Sequence, residues 1–464
     1  MKTFFLSLTT AASAIAALPS VGPDYQRPDV SAPAAYRDIT DTPSVVLSPD
    51  WWRAFNDPVL DELEARALAA NQDLRAALAR VEQARALAGV ARSAYLPSVS
   101  AAPSVDRERT SRTVDNRLTD SPATTHTLPL NLSWELDLFG RVRRLNESAR
   151  AEFAAAGATY HAARLALTAE VATTHFTLRA IDEELRIVNR TVGVRRDALS
   201  LTASRFKQGT AGELDVARAE TELASTEADA AALAIRRAST ETALAVLLGE
   251  AAPSFSAGIA TASVATPGIP AGLPSDLLTR RPDIAVAERA LAAASARIGV
   301  AKSSFFPAIS LTGSAGYASA DISDLFKSDS RLWSIGPSLY LPLFQGGRNK
   351  ASLARSRAAF EESLAVYRQR VLIAFREVQD ALTASRLLED QAAAQARAVE
   401  SARRGAKLSQ IRYDAGYVSY FEVVDAQRTA LDVERADARL TGQRWITRVS
   451  LIKALGGGWS QPTS

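Results

Sequence analysis

The chain has 464 residues, 47% of them hydrophobic and 23% charged, with 54 basic against 51 acidic side chains and a formal net charge of +3 at pH 7. The basic residues are dispersed rather than gathered into a patch or an aromatic-interleaved stripe, so nucleic acid is excluded as the expected partner. Cysteine is absent, which excludes disulfides, thiolate ligands, thiol nucleophiles and thioether-linked lipids.

In chain order, residues 1–17 read as an export signal: Lys2 supplies the positive region, an apolar run begins at Phe4, and Ala14-Ile15-Ala16 suits a leader peptidase. The competing reading is a buried N-terminal helix. After the signal no stretch of about 18 apolar residues occurs, so a spanning helix is not expected and only a β-barrel would cross a bilayer. Residues 18–56 are read as an N-terminal periplasmic segment and 57–96 as a helix.

A strand pair is expected over 97–140. Leu128, Leu130, Leu132, Trp134, Leu136 and Leu138 alternate with polar Asn131, Ser133, Glu135 and Asp137, the period of a sheet with one greasy and one wet face. Residues 141–250 read as a long helical hairpin, 251–275 as a linker and 276–306 as a second helix. A second strand pair spans 307–346, with Ile309, Leu311, Gly313, Ala315 and Tyr317 facing Trp333, Ile335, Leu339, Leu341 and Leu343. Pro97 and Pro307 mark the passage from helix to strand. Each strand has the length of a tilted transmembrane strand, and the polar loops near 112–123 and 319–331 would face outward. A half-buried sheet in a soluble protein is the alternative. Four strands cannot close a barrel, so strands that span lipid must be pooled by at least two chains.

A second helical hairpin is expected over 347–456, before a tail at 457–464. Residues 141–206 and 347–413 lack proline and would each extend roughly 100 Å as helices. Phe360, Leu364, Tyr367, Val371, Phe375, Val378 and Leu382 follow coiled-coil spacing, with a stutter at the consecutive four-residue steps around Val371.

The chain is also written twice. GVARSAYLPSVS from Gly89 returns as GVAKSSFFPAIS from Gly299, an offset of 210; Leu138-Phe139 returns as Leu343-Phe344, an offset of 205; RFKQGTAGELDVARAE from Arg205 returns as RYDAGYVSYFEVVDAQ from Arg412, an offset of 207. Three motifs in one order predict two copies of a strand-pair and helical-hairpin unit. The fold class expected is mainly α with a small β part.

Nothing in this pattern assembles catalytic chemistry. His161 and His175 would lie on one helix about 21 Å apart, too far to share a metal, and these two and His126 are read as structural or solvated. The glycine runs at 346–347 and 456–458 lack the context of a phosphate-cradling loop. No metal ligand set, cofactor or enzymatic activity is expected. The carboxylates just past the glycine breaks at Gly209 and Gly416 stand out: Glu213 and Asp215 in one copy, Glu422 and Asp425 in the other. At the tips of helical hairpins arranged round an axis they would form a ring that selects cations and couples opening to pH. Ordinary solvated charges are the alternative.

The motifs VGPDYQRP at 21–28, WWRAFNDPVLDELEARALAANQDL at 51–74, ELDLFGRVRR at 135–144, TRRPDI at 279–284, LPLFQGGR at 341–348 and ALGGGW at 454–459 together resemble the outer membrane factor family, the TolC-like ducts, and its OprM-like or NodT-like branch. The resemblance covers essentially the whole mature chain. It implies a homotrimer whose twelve pooled strands form one outer-membrane barrel, continued by a periplasmic helical barrel. It also implies docking onto a periplasmic adaptor and an inner-membrane RND-type pump, and contact with outer-membrane lipid. A periplasmic gate is implied, its acidic residues carried onto Asp215, Glu422 and Asp425, its aromatic onto Tyr413, and its helix-tip glycines onto Gly209 and Gly416. Some relatives have an arginine two residues after the glycine, where this chain has Val418; Arg412 or Arg205 would then stand in. Relatives of the OprM type carry a lipidated cysteine where this chain has Pro19, so no lipidation is expected. The rival readings are a type I protein-secretion duct and a periplasmic coiled-coil scaffold.

Overall fold

The computed structural model describes residues 20–37, 48–111, 113, 121–258, 264, 266–269, 272 and 274–461. The expected leader, Pro19 and most of the 112–123 loop lie outside these residues. The chain divides into two compact units, one of residues 1–29, 80–157 and 286–368, the other of residues 30–79, 158–285 and 369–464.

The first unit holds the sheet. Strands β1 (Ser98–Ala101) and β2 (Ser104–Glu108) are two halves of one strand, and both pair antiparallel with β3 (Ala123–Leu136) in a single unbroken register. The single strand expected here is interrupted because Pro103 has no N–H to give to the ladder. β3 pairs with β4 (Ala308–Ser319), and β4 with β5 (Arg331–Tyr340), giving the order β1/β2, β3, β4, β5. Register puts most of the large apolar side chains on one face, with Leu332 and Tyr340 on the other. Val99 opposes Leu132, Trp134 opposes Leu311, Leu128 opposes Tyr317, Ile309 opposes Leu339 and Ala315 opposes Trp333. Ser98, Ser100, Asn131, Ser133, Thr312, Ser314 and Ser334 share the other face. The apolar face is bare: Trp333 is 78% exposed and Leu339 64%.

Below the strands, Trp134 Nε1 donates to the Tyr95 carbonyl at 3.0 Å. Asp137 starts the long helix α3 (Arg141–Lys207) by accepting from the Val142 and Arg143 backbone N–H groups at 3.0 and 2.8 Å. The 21–28 motif lies against the same unit: Val21 N–H donates to the Phe139 carbonyl at 3.0 Å, Asp24 pairs with buried Arg144 at 2.6 Å, and the Tyr25 hydroxyl donates to Glu288 at 2.8 Å.

Where one helix is expected over 57–96, the chain forms α1 (Pro58–Ala70) and α2 (Gln72–Ser93). Asn71 between them is extended, its Oδ1 accepts from the Leu74 N–H, and its Nδ2 donates to the Leu247 carbonyl at 2.9 Å. The second copy breaks likewise into α5 (Leu277–Arg280) and α6 (Pro282–Ser303), where Arg281 Nη1 donates to the Ala454 carbonyl at 2.9 Å. Both breaks correct the expectation of continuous helices; in each, a polar side chain satisfies a carbonyl at the end of a hairpin helix.

Asp57 caps α1 through Oδ1, and its Oδ2 meets His175 at 2.8 Å and Arg179 at 3.1 Å. Burial pushes the Asp57 carboxyl up, but His175 and Arg179 overcome this and hold it below the usual range. His175 is therefore a structural partner of a buried cap. Around it Trp51, Trp52, Phe55, Leu60, Phe176 and Leu244 form the core.

The helical hairpins pair α3 with α4 (Glu213–Leu247) and α7 (Arg348–Asp414) with α8 (Tyr420–Ala454); α3 and α7 have 67 residues each, α4 and α8 have 35 each. On α7 the buried stripe runs Tyr367, Val371, Ala374, Val378 and Ala381. This corrects the expected stutter: Ala374, not half-buried Phe375, occupies the seam, and the steps of four and three stay regular.

Candidate gate at the helix tips

All the residues expected at the gate fall on the two reversals of the second unit. Gly209 and Gly416 have φ of +75° and +79°, and the two turns close with the same bonds. Gly209 N–H donates to the Phe206 carbonyl and Thr210 N–H to the Arg205 carbonyl, both at 2.9 Å; Gly416 N–H and Tyr417 N–H repeat this onto Tyr413 and Arg412 at 2.9 Å. These are glycine-terminated helix ends in which the left-handed residue lets the orphan carbonyls find donors. No heavy atom lies near enough to contact a Cβ at either glycine, so conformation rather than space demands glycine.

Four helices meet beneath the turns. Tyr413 at the end of α7 packs against Tyr420 at the start of α8, with ring centroids 5.5 Å apart, and the Arg205 guanidinium from the end of α3 lies 5.0 Å from the Tyr413 ring centre. Ala219, Val423, Val424 and Leu199 complete this small apolar cluster. Burial pushes the Tyr420 hydroxyl up. The structure thus brings Tyr413 and both stand-in arginines to one place, Arg205 over the ring and Arg412 4.0 Å from Glu422. The Arg412–Glu422 pair is more than half exposed on both sides, so it contributes no more than about 1 kcal/mol.

Glu213 and Asp215 occupy the first turn of α4 and Glu422 that of α8, where negative charge complements the helix dipole. Asp215 is half-buried, whereas Glu422 and Asp425 are exposed. Asp425 makes no ion pair among the described residues.

Sequence reasoning missed what stands behind the tips. Glu222, 6% exposed, lies between buried Arg195 at 3.0 Å and Arg428, and Arg195 also donates to the Glu222 carbonyl at 2.8 Å and to the Thr226 hydroxyl. Deeper in the helices, buried Glu434 takes Arg190 and Arg403, and Glu184 takes Arg435 and Arg439. Each of these three glutamates is held by two arginines, and together they tie α3 to α4, α7 and α8. Burial pushes the Glu184 carboxyl up, but hydrogen bonds from Arg439 and Arg435 prevail and hold it below its usual value. In the sequence these glutamates look like any others on a charged helix. The one available signal was the repeat: the exposed Arg196–Glu227 pair, at 2.8 Å, recurs 207 residues on as Arg403–Glu434.

Among the described residues no helix is long and apolar enough to cross a membrane, and no cluster of metal-ligating side chains occurs.

A family model described as outer membrane efflux protein matches residues 63–250 and 273–457, one stretch in each repeat. The solvent efflux pump outer membrane protein SrpC of Pseudomonas putida is 36% identical over 453 residues, covering 95% of this chain and 96% of SrpC. The cation efflux system protein CusC of Escherichia coli is 33% identical over 448 residues, covering 95% of this chain and 96% of CusC. Among solved structures, the Campylobacter jejuni CmeC outer membrane channel is similar with a TM-score of 0.91 at 26% identity, covering 96% of either chain.

Proposed function

Because this chain belongs to the outer membrane efflux protein family, we propose that three copies pool four strand positions each into one twelve-stranded barrel and form the exit duct of a tripartite efflux system. The protein is an outer-membrane efflux channel with its helical part in the periplasm. Its proposed partners are a periplasmic adaptor and an RND-type inner-membrane pump, and its own role is passive conduction without covalent chemistry.

The observation that carries this reading is the sheet. It has one continuous apolar face, bare in the single chain, and two edges, β1/β2 and β5, with no neighbour among the described strands. An open edge in hydrocarbon leaves backbone groups unpaired, so lipid insertion requires closure. The strands run alternately up and down over four positions, so β5 of one copy meets β1/β2 of the next antiparallel and the ring closes without a mismatch. SrpC and CusC are named for different cargoes, solvents and cations. We therefore assign the choice of compound to the pump and passage alone to this duct.

The gate is assigned to Asp215, Glu422 and Asp425, with Tyr413 as its aromatic and Gly209 and Gly416 as its pivots. In planar bilayers, Asp215→Ala combined with Glu422→Ala and Asp425→Ala should raise single-channel conductance and weaken block by divalent cations. Unchanged conductance and block would make these ordinary surface charges.

A further inference from the structure

We propose that each seam between neighbouring copies in the barrel binds the phosphates of an anionic lipid headgroup in the outer leaflet, through Arg331 of one copy and Arg107 and Arg109 of the partner subunit. This rests on the pooled barrel proposed above and adds to it a register and a ligand.

The register comes from the repeat. β5 is the counterpart of β3 at the 205-residue offset that carries Leu138 onto Leu343, and β1/β2 is the counterpart of β4 at the 210-residue offset that carries Gly89 onto Gly299. Within one chain, β3 and β4 pair with Leu136 opposite Ile309, Trp134 opposite Leu311, Leu130 opposite Ala315, Leu128 opposite Tyr317 and His126 opposite Ser319. Carrying that pairing over to the two open edges sets Leu341 opposite Val99 of the partner subunit, and Leu339 opposite the partner subunit's Ala101. It likewise sets Ile335 opposite the partner subunit's Val105, Trp333 opposite Arg107 of the partner subunit, and Arg331 opposite Arg109 of the partner subunit. In this register Leu341, Leu339 and Ile335 meet Val99, Ala101 and Val105 of the partner subunit on the apolar face. A slip of one residue would set Trp333 against Asp106 of the partner subunit and turn one strand inside out.

This register gathers three guanidiniums on the lipid-facing side at one rim. Arg331 begins β5, Arg107 lies next to the end of β2, and Arg109 follows that strand by one residue. All three are exposed, and none forms an ion pair among the described residues. Asp106 and Glu108 alternate onto the opposite face; in the loop between β4 and β5, Asp324 is held by Lys327 at 2.6 Å, while exposed Asp321 and Asp329 form no ion pair among the described residues.

Depth identifies the ligand. From Leu341 to Arg331 is ten residues, about 34 Å of strand and roughly 26 Å of membrane normal at a tilt near 40°, which matches the apolar band of about 25 Å. The arginines therefore leave hydrocarbon where headgroups begin, beside Trp333, an amphipathic ring suited to that boundary. Three like charges converging there need a counter-anion, and guanidinium matches phosphate bidentately.

The cysteine-free chain permits a direct test. Ile335→Cys with Val105→Cys should oxidise to a covalently closed trimer, while Ile335→Cys with Ala101→Cys, offset by about 14 Å along the strand, should not. Crosslinking in the second register, or none in a sample that is trimeric by light scattering, overturns the seam; a sample that is not trimeric overturns the pooled barrel itself. On trimers in detergent, Arg107→Gln with Arg109→Gln and Arg331→Gln should weaken binding of bis-phosphorylated lipid A at least about tenfold, with pore conductance retained. Dephosphorylated lipid A should bind the parent as weakly as lipid A binds the variant. Equal binding of lipid A by variant and parent overturns the site, and full displacement by millimolar inorganic phosphate reassigns it to free phosphate and overturns the lipid.

Discussion

Glu222→Ala should loosen the helix tips far more than removal of its exposed partner. Glu222 and Arg195 are 6% and 7% exposed, whereas Arg428 on the other side of the carboxylate is 58% exposed. Deleting the carboxylate strands the Arg195 guanidinium in a buried site, a loss of 3–5 kcal/mol in comparable cases. The Glu222 carbonyl and the Thr226 hydroxyl still accept from Arg195 after the substitution, so the lower end, about 3 kcal/mol, applies. Arg428→Ala removes only a solvated charge and leaves Glu222 paired with Arg195, at a cost of no more than about 1 kcal/mol. Hydrogen exchange on the reconstituted channel reads this locally. Amides in 195–199 and 222–226 should exchange roughly a hundredfold faster in Glu222→Ala, and no more than about fivefold faster in Arg428→Ala. Equal effects of the two substitutions would refute the argument that a buried, doubly held carboxylate fixes the tips.

Gly416→Ala should cost about 1–2 kcal/mol from left-handed strain alone, since a Cβ there meets nothing, and should show as faster proteolysis at 415–419. Gly456→Ala should be worse and lower the yield of assembled channel, because its Cβ would fall 2.0 Å from the Arg280 carbonyl oxygen; equal yields for the two variants would contradict the packing. Glu64 is fully buried, neither carboxylate oxygen has a hydrogen-bond partner among the described residues, and burial pushes its carboxyl up to about 9. The folded state thus holds a proton that the unfolded chain releases above its ordinary value of 4.5, so this contribution is complete below 4.5 and is lost as pH rises through about 9. Glu64→Gln should therefore gain melting temperature over the parent progressively across that window, and parallel pH profiles would contradict it.

Much of this is legible in the sequence. Alternation from Leu128 to Leu138 specified the face that register later lined up across all the strands, because a period of two leaves no freedom once one face is apolar. The reversals at Gly209 and Gly416 were legible because left-handed turns demand glycine. What escaped has a common cause. Asn71 and Arg281 break helices in order to satisfy carbonyls at Leu247 and Ala454, more than 170 residues away, and no local pattern carries that information. Glu184, Glu222 and Glu434 were hidden by composition: a carboxylate clamped by two distant arginines and one in water have the same neighbours in sequence. Ala374 displaced Phe375 from the seam because close-packed helices favour a small side chain at the contact.

The central claim, that the duplicated strand-and-helix unit is pooled by three chains into one closed pore, is tested most directly by native mass spectrometry of the detergent-extracted channel, with conductance recorded from the same preparation. The account predicts a species of three chains that conducts in planar bilayers and is released from membranes by detergent but not by salt. A conducting species with another number of chains, or a protein that salt alone releases as a soluble monomer, would contradict it.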